Sequence, residues 1–451
     1  MTFHRLALVI LLACWTASWM GRESATAGEQ PLAIFHAFDQ SYSDIKQFVC
    51  KLEQQGYSHI QIAPAQKSNP DSRWWARYQP IDYSMIEGRG SEQDLQQLIS
   101  TAHACHIKVI ADVVFNHMAN MEEYKDLTFP QFSPADFHSR CGITYDDGNR
   151  DTEINCWLGG LPDLDQSKAG VRAVHRAHLQ KLLDLGIDGF RFDAAKHMSA
   201  EIVQEYIDFI NTKSQGKAWN YLEVISDHDT KAEDYTGVAT TTDFVLYDSM
   251  KKAFSFGGDL RSLRIPVAVD DPRSVTFGRN HDTIRELNDQ AINPYNEPSD
   301  AFLATAYVLA RQRGTPLILN WDNYDVPYIQ YGVKFRQIMQ QRGSTGGNVT
   351  ENVLAVIDKP TVLLMERGNE GFFVVNKATG KFDKTKDQVD MTLTNLEGCY
   401  RELRRDFTVA IQRNDQGKKY ITRWATWNRR GIEIHGRDAL YFIREPWNQC
   451  Q

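Results

Sequence analysis

Several common functional motifs are missing from this chain. It has no Cys-x-x-Cys pair and no His-Glu-x-x-His segment, which argues against a zinc site. No glycine-rich phosphate turn follows the first strand-like segment, which argues against a doubly wound nucleotide-binding sheet. Basic residues are in the minority, with 50 Lys and Arg against 58 Asp and Glu. Nucleic acid is therefore not expected to be the main partner.

Apolar runs long enough to cross a membrane are also absent beyond the N-terminal region, so no spanning segment is expected. The N-terminus has the form of a secretory signal: Arg5, an apolar stretch from Leu6 to Cys14, and the small-residue cleavage site Ala25-Thr26-Ala27. We expect residues 1–27 to be removed and the product to be secreted, or periplasmic in a bacterium. A lipid-anchored start at Cys14 is the open alternative.

Cysteine is sparse but even in number once Cys14 is set aside. An even count in an exported chain suggests three disulfides, although six cysteines allow fifteen connectivities. Proximity in sequence favours a Cys141–Cys156 pair, and the two C-terminal cysteines are natural partners for each other. The six residues are Cys50, Cys105, Cys141, Cys156, Cys399 and Cys450.

Strand-like and helical patterns alternate from Pro31 to about Arg342, with helices predicted over segments such as Ser91–Ala104, Ala169–Leu185, Ala200–Asn211 and Asp300–Gln312. Eight β-runs with helical crossovers predict an α/β fold of the (β/α)8 TIM-barrel type. The eight predicted strands are Leu32–Phe35, His59–Ala63, Lys108–Val114, Gly189–Phe192, Tyr221–Ile225, Asp243–Leu246, Ser274–Phe277 and Pro316–Leu319.

The alternation breaks in two places, which divide the chain into predicted domains. Between His117 and Asp163 no clear helix is evident, and proline, glycine and two cysteines are frequent, so residues 118–163 are predicted to form a small inserted domain after the third strand. The barrel then comprises residues 28–117 and 164–350. Residues 351–451 contain only strand-like runs and predict a C-terminal antiparallel β-sandwich. The runs are Val353–Ile357, Thr361–Met365, Gly371–Val375, Val389–Leu393, Phe407–Ile411, Lys419–Arg423 and Ala439–Ile443.

Four acidic segments follow the predicted strands at intervals suited to successive βα units. In a parallel barrel the carboxyl ends of all strands lie at one rim, so these polar groups are expected to converge there. The segments are Asp112–His117, Gly189–His197, Tyr221–Ile225 and Phe277–Asp282.

Cleavage of a glycosidic bond needs a carboxylate nucleophile and a carboxylic acid that protonates the leaving oxygen. Asp193 suits the nucleophile because Arg191, two residues earlier on a strand, favours its ionised form. Glu223 lies between Leu222 and Val224, a setting expected to raise its pKa and favour the acid role. Asp282 would stabilise positive charge at the anomeric carbon. The competing interpretation is three unrelated turn or capping carboxylates.

Other polar and aromatic groups accompany these acids. His117, His197 and His281 are interpreted as donors to sugar hydroxyls, with zinc binding as the weaker alternative. Asn116 and Asp163 bracket the insertion and could bind Ca²⁺ together with backbone carbonyls, although such residues are also common in loops. The run Trp74–Pro80 is interpreted either as a sugar platform or as packing beneath the insertion.

In their order and composition the four segments resemble the signature regions of the α-amylase family of glycoside hydrolases (family 13), and Leu161–Asp165 resembles a fifth. The resemblance covers essentially the whole mature chain and is greatest to animal-type secreted members and their bacterial relatives. It implies domain A (the barrel), domain B (the insertion) and domain C (a Greek-key sandwich). It also implies the pairs Cys50–Cys105, Cys141–Cys156 and Cys399–Cys450.

The resemblance also implies a role for each matching residue. Asp193 would be the nucleophile, Glu223 the general acid/base and Asp282 the transition-state stabiliser, while Arg191 would position the nucleophile. One structural calcium would be bound by Asn116, Asp163 and the carbonyl of His197. The positions implied to bind sugar are His117, His281, Lys196, His197, Asp112, Trp75, Tyr78 and Gln79.

The implied reaction is endo-hydrolysis of α-1,4-glucans such as starch and glycogen, with retention of configuration, by a monomer. Alternatives are a member that releases one short malto-oligosaccharide or favours transglycosylation and, less expected, an inactive carbohydrate-binding subunit. Three features depart from the family pattern. Chloride-activated members use positions matching Arg191 and Asn280 plus a basic residue where this chain has Leu317, so chloride activation is not expected. Arg279 and the stretch Asn320–Asp325 are individual to this chain.

Overall fold

The computed structural model describes residues 28–269, 273–287, 300–322, 325–355, 359–379, 388–391, 394–423, 427–429 and 431–450. The predicted signal sequence, Cys14 and positions 323–324 of the individual Asn320–Asp325 stretch lie outside these ranges.

Eight parallel strands form the first sheet, in the order β8-β7-β6-β5-β2-β1-β10-β9. The two ends of this sheet meet at a parallel bridge between Thr242 and Val275, which closes it into a barrel. The predicted (β/α)8 barrel is thus confirmed. Its strands are β1 Ile34–Ala37, β2 His59–Ile62, β5 Lys108–Val114, β6 Gly189–Asp193, β7 Trp219–Leu222, β8 Thr240–Thr241, β9 Val275–Thr276 and β10 Thr315–Leu319.

Amphipathic helices surround the barrel. The first begins where the hydroxyl of Ser41 accepts from Asp44 N, and it ends at Gly56, whose φ of 97° is a left-handed conformation that glycine adopts without strain. A small hairpin, β3 Gln66–Ser68 and β4 Pro80–Ile86, lies between β2 and the second helix. The helices are α1 Tyr42–Gln55, α2 Glu92–Ala104, α3 Arg150–Asn155, α4 Ala169–Leu185, α5 Ala200–Ser214, α6 Phe244–Phe254, α7 Asp300–Ala310 and α8 Pro327–Ser344.

Two expectations about local structure were wrong. The segment Asp243–Leu246 is not a strand: Asp243 caps α6, its carboxylate accepting from Leu246 N at 2.8 Å, and the strand is the two-residue β8 just before it. The insertion is not free of helix, because α3 begins there at the cap Asn149. Six residues are too few to show an apolar stripe of helical period.

The insertion starts and ends at one point of the barrel rim. An antiparallel bridge joins His117 to Asp163, and Leu164 N donates to Asn116 O at 3.0 Å. The disulfide Cys141–Cys156 ties the two arms of the insertion together next to α3. The two flanks of the insertion therefore lie side by side at the end of β5.

The C-terminal region is an antiparallel sheet of eight strands in the order β11-β12-β13-β20-β15-β16-β17-β18, with a two-stranded ladder β14–β19 against one face. The predicted antiparallel C-terminal domain is confirmed, although β15, β18 and β19 were not predicted. The strands are β11 Glu351–Ala355, β12 Val362–Arg367, β13 Gly371–Asn376, β14 Gln388–Asp390, β15 Gly398–Glu402, β16 Thr408–Arg413, β17 Lys419–Arg423, β18 Trp427–Arg429, β19 Gly431–Glu433 and β20 Asp438–Glu445.

The three disulfides pair as the resemblance implied. Cys50 on α1 is bonded to Cys105 at the end of α2, Cys141 to Cys156, and Cys399 on β15 to Cys450. Within the described ranges no helix is both long and apolar enough to span a membrane.

Candidate active site

Arg191 connects three carboxylates at the rim. Parallel register places Asp112 of β5 beside Arg191 of β6, so that Nη1 contacts both carboxylate oxygens of Asp112, at 2.7 and 2.6 Å. The same Nη1 donates to Asp193 Oδ1 at 3.0 Å, and Nη2 pairs with Glu223 Oε1. Only 3% of the Arg191 side chain is exposed. The structure brings these groups together, as the sequence predicted. Parallel register and the alternation of side chains place them on one side of adjacent strands.

The surroundings of Glu223 and Asp193 shift their pKa values in directions opposite to those the sequence predicted. Burial opposes ionisation of Glu223, but Arg191, His281 and the backbone N–H of Ala194, which donates to Oε2 at 3.0 Å, outweigh it and lower its pKa. Burial and the charges of Glu223 and Asp112 raise the pKa of Asp193 well above its usual range, although Arg191 acts against them. The burial expected for Glu223 is present, but the sequence did not predict its contacts with Arg191 and the backbone N–H of Ala194.

The other carboxyl groups near Arg191 also have raised pKa values. Burial raises the pKa of Asp112 to about 6 even beside Arg191. Partial burial and the charge of Glu223 raise the pKa of Asp282, although 39% of that side chain is exposed. Raised pKa values in a group of interacting carboxyls favour retention of a proton within the cluster, which acid catalysis requires.

His281 lies within a cage of aromatic rings. Its ring stacks on Tyr78 with centroids 5.2 Å apart and a 13° interplanar angle, and it contacts His36 and Phe38 at 5.2 and 4.9 Å. The Tyr78 hydroxyl donates to Asp112 Oδ2 at 3.1 Å. Burial lowers the pKa of His281 to about 3, so the ring is neutral at physiological pH, and its Nε2 lies 3.5 Å from Asp282 Oδ2.

The other predicted sugar-binding residues lie on two sides of the carboxylates around Arg191. His117, Gln79 and Trp75 lie on the first side. His117 Nε2 bonds to the backbone O of Tyr78 at 3.0 Å, and Gln79 accepts from Asn69 Nδ2 at 2.9 Å. Trp75 is partly exposed, with the guanidinium of Arg73 4.5 Å from its ring centroid. The His117 bond joins the loop after β2 to the rim, and the other two contacts lie within that loop.

Lys196 and His197 form the opposite flank together with the insertion. Lys196 pairs with Asp227, and its ammonium lies 4.6 Å from the ring centroid of Tyr145. His197 Nδ1 bonds to the carbonyl of Glu153 at 2.9 Å. The helix that the sequence did not predict, α3, thus fastens the insertion to the turn after β6.

The predicted calcium residues provide a suitable donor set. Asn116 Oδ1 and Asp163 Oδ1 are both buried, and within the described residues neither has a hydrogen-bond partner. Side-chain and carbonyl oxygens are the ligands that Ca²⁺ prefers. No group of three His, Cys, Asp or Glu converges in the described part of the chain, so a cation here would depend on amide and carbonyl oxygens as well. The residues therefore fit the predicted ion.

Of the three positions implied for chloride binding, two are already bonded to protein groups and the third is apolar. The guanidinium of Arg191 is shared among carboxylates, and Asn280 Oδ1 accepts from the backbone N–H groups of Asp282 and Thr283 at 3.1 and 3.0 Å. Leu317 is a buried apolar residue of β10 and supplies no positive charge. That chloride does not activate this protein stays a prediction.

Several residues near the rim were not predicted. Phe38 follows β1 and contacts the rings of His281 and Trp74, while His138 bonds to Asp163 Oδ2 at 2.6 Å. The position of Phe38 directly after a strand was a usable signal. His138 lies inside the insertion, where no periodic pattern indicates which residue faces the barrel.

A (β/α)8 barrel whose rim carries carboxylates grouped around one arginine and flanked by aromatic and imidazole rings defines a barrel-type glycoside hydrolase. Residues 47–246 match the family model described as the alpha amylase catalytic domain. The α-amylase of Phaedon cochleariae is 31% identical over 350 residues, covering 71% of each chain. That of Aeromonas hydrophila is 30% identical over 407 residues, covering 76% of this chain and 84% of its own. This chain belongs to the α-amylase family of glycoside hydrolases.

Two further similarities, one to a relative and one to a solved structure, are more limited. An α-amylase-related protein of Drosophila auraria is 30% identical over 328 residues, covering 65% of this chain. A mutant of α-amylase I from Eisenia fetida, solved with maltohexaose, has a TM-score of 0.71, 21% identity, and coverage of 94% of this chain and 98% of its own. At that identity the structural similarity establishes the fold alone.

Proposed function

We propose that this protein hydrolyses internal α-1,4-glucosidic bonds of starch, glycogen and related glucans with retention of configuration. The observation that carries the proposal is the position of Arg191, which contacts the proposed nucleophile Asp193 and the proposed acid Glu223 at once, with Asp282 beside them. A double-displacement mechanism needs two carboxyl groups close together, one as nucleophile and one as acid/base. Their shared contact with Arg191 keeps Asp193 and Glu223 close.

In the proposed mechanism Asp193 attacks the anomeric carbon while Glu223 transfers a proton to the leaving glycosidic oxygen. A covalent glycosyl-Asp193 ester forms and the aglycone departs. Water then attacks the ester while Glu223, now ionised, takes a proton from that water. The sugar is released with its original configuration. Asp282 would stabilise the positive charge that develops at the anomeric carbon.

The free site must change its proton distribution for this reaction. Glu223 is the more acidic group while Arg191 and Ala194 N–H bind it, whereas Asp193 tends to hold a proton. When a glycosidic oxygen approaches Glu223, that carboxyl has to loosen its contact with Arg191 and take up the proton that Asp193 held. Arg191, still paired with Asp112, then stabilises the ionised Asp193, which makes it nucleophilic.

The test is a time course with soluble starch. Endo-cleavage predicts an early loss of iodine colour and viscosity with a ladder of malto-oligosaccharides, and retention predicts α-anomeric products by NMR immediately after cleavage. Release of glucose alone from chain ends would contradict the endo mode. Accumulation of a single oligosaccharide, or of products longer than the substrate, would instead support the defined-product or transglycosylating alternative.

For the metal, we propose one structural Ca²⁺ bound by Asn116, Asp163 and the carbonyl of His197, at the base of the insertion. A bound ion would neutralise the buried Asp163 carboxylate, whose pKa burial otherwise raises to about 7, and would hold the insertion on the barrel. Exhaustive chelation should lower the melting temperature and the activity, and added Ca²⁺ should restore both. Unchanged melting after chelation would remove this ion from the proposal.

We further propose that the mature protein is a secreted monomer whose partners are glucan chains, with no nucleic-acid or membrane partner. Three disulfides support export, and the Eisenia fetida enzyme solved with maltohexaose supports oligosaccharide binding. An inactive binding subunit is disfavoured because Asp193, Glu223 and Asp282 are all retained.

A further inference from the structure

A row of aromatic rings leads from the catalytic cluster to an exposed indole. His281 contacts Phe38 with centroids 4.9 Å apart, and Phe38 contacts Trp321 at 5.6 Å and an interplanar angle of 71°. Trp321 lies two residues after the end of β10 and is 50% exposed, although tryptophan is usually largely buried. The row therefore ends in a large apolar face that is open to solvent, two ring contacts away from His281.

The residues on either side of Trp321 are firmly anchored. Asn320 Nδ2 donates to the carbonyl of Phe38 at 2.9 Å. Asp322 is completely buried, pairs with Arg279 and accepts from the Thr305 hydroxyl at 2.8 Å. Arg279 Nη2 also donates to the carbonyl of Trp321 itself at 3.3 Å. An exposed ring on so well-anchored a segment loses little freedom when it binds a ligand.

The buried pair of Arg279 and Asp322 needs an explanation of its own. A buried ion pair adds little stability compared with apolar packing, because both charges must be desolvated. Here the pair joins the loop after β9, which carries Asp282, to the segment after β10, which carries Trp321. Its geometric effect is to fix the indole relative to the proposed catalytic residues.

We propose that Trp321 is a stacking platform for one glucosyl residue of a longer substrate, and that Arg279 and Asp322 are positioning residues for it. The inference deepens the proposed function and rests on it for the identity of the sugar. The C–H face of a pyranose is apolar and packs on an aromatic face, while its hydroxyls remain in water. Trp321 thereby selects for chain length.

The test uses Glu223→Gln protein, in which bound oligosaccharide is not consumed, and titrates it with maltoheptaose by calorimetry. Adding Trp321→Ala should weaken binding roughly tenfold, and Trp321→Phe should restore most of the loss. Trp447, which is 43% exposed in the C-terminal turn, provides a matched control: Trp447→Ala should leave binding unchanged. Binding of the Trp321→Ala protein within twofold of its parent overturns the proposal.

The positioning role has a kinetic test in otherwise unaltered protein. Arg279→Gln should raise the KM for maltoheptaose several-fold with a smaller effect on kcat, and Arg279→Lys, which keeps a cation for Asp322, should recover much of it. A fall in kcat with unchanged KM would show that Arg279 acts on the catalytic centre instead, and would overturn the positioning role.

The platform and the proposed function can fail separately. If the wild-type protein releases no product from starch, the proposed function fails, while calorimetry on Glu223→Gln still decides the role of Trp321. If starch is cleaved but Trp321→Ala binds as tightly as its parent, only the platform fails. Should Trp321→Ala fail to fold, Trp321→Gln provides the same comparison.

Discussion

At the scale of single residues, Arg191 sets the chemistry of the rim because one guanidinium serves three buried carboxylates. The sequence predicted its neighbours correctly: alternation along β6 places Arg191 and Asp193 on the same face. It could not predict that Glu223 would also bind Arg191. That contact depends on the register between β6 and β7, which places Arg191 beside Tyr221, a residue distant in the sequence.

The first prediction concerns the proposed acid. Glu223→Gln keeps the shape of the side chain but cannot donate a carboxylic proton, so kcat on maltoheptaose should fall by about 10²- to 10⁴-fold. The release of reducing ends measures it. Glu122→Gln, a change at an exposed residue that pairs with Lys125, is the control and should retain full activity. Activity within tenfold of wild type in Glu223→Gln would show that another group supplies the proton.

The second prediction concerns the shared guanidinium. In Arg191→Lys a single ammonium replaces the two-armed contact with Asp193 and Glu223, so the ionised form of each acid loses stabilisation and holds its proton to higher pH. Both limbs of the pH profile of kcat/KM should therefore move to higher pH, with a lower maximum. Profiles measured with maltoheptaose between pH 4 and 9 test this. Limbs that stay in place, or move to lower pH, would contradict the role assigned to Arg191.

At the scale of secondary structure, long elements were predicted well and short ones poorly. The apolar period of α4 is clear over seventeen residues, and Ala169–Leu185 was predicted without error. Strand β8 has two residues, and the capping carboxylate after it, Asp243, was assigned to the strand. Two residues carry no period, so their pairing is decided by the closure of the whole barrel and not by local sequence.

The third prediction belongs to α4, whose inner face carries His175 and His178. His175 is buried, bonds to the Tyr206 hydroxyl at 2.7 Å and stacks on Phe115 with centroids 4.2 Å apart. Burial lowers the pKa of His175 well below its usual value, and that of His178 to about 4.

A histidine whose pKa is lower in the folded chain binds more protons when unfolded, so it makes stability fall as pH drops below about 6.5. Each such group contributes up to about 1.4 kcal/mol per pH unit. His175→Gln should therefore flatten the slope of unfolding free energy against pH between pH 4.5 and 6.5, measured by urea titration, despite being less stable at pH 7. His106→Asn, at an exposed position, is the control. An unchanged slope in His175→Gln would contradict this account.

At the scale of the whole molecule, the C-terminal sheet is not an independent appendage. Its central strands alternate between two cores: Leu363 and Met365 of β12 pack with the barrel helices, whereas Val362 and Leu364 pack beneath the β14–β19 ladder. Strands buried on both faces have continuous apolar runs, which is why β12 and β13 were predicted while the less apolar β15 and β18 were not.

The contact between the two domains centres on Gly332 of α8 and Tyr441 of β20. The Tyr441 hydroxyl donates to the carbonyl of Ala306 on α7 at 3.2 Å. A Cβ added at Gly332 would lie 2.4 Å from that hydroxyl oxygen and 2.9 Å from Leu309 Cδ1. Because helix and sheet meet this closely, neither half of the shared core can open without exposing the other.

The fourth prediction follows from that shared core. Calorimetry should show one unfolding transition for barrel and sheet together, and Gly332→Ala should move the whole transition to lower temperature, since overpacking costs about 1–3 kcal/mol. Gly170→Ala is the matched control, because Gly170 also lies in a helix but has open space around it. Two resolved transitions, with only one shifted by Gly332→Ala, would contradict this prediction. They would show that the sheet unfolds on its own, because the shared apolar face couples the two domains too weakly.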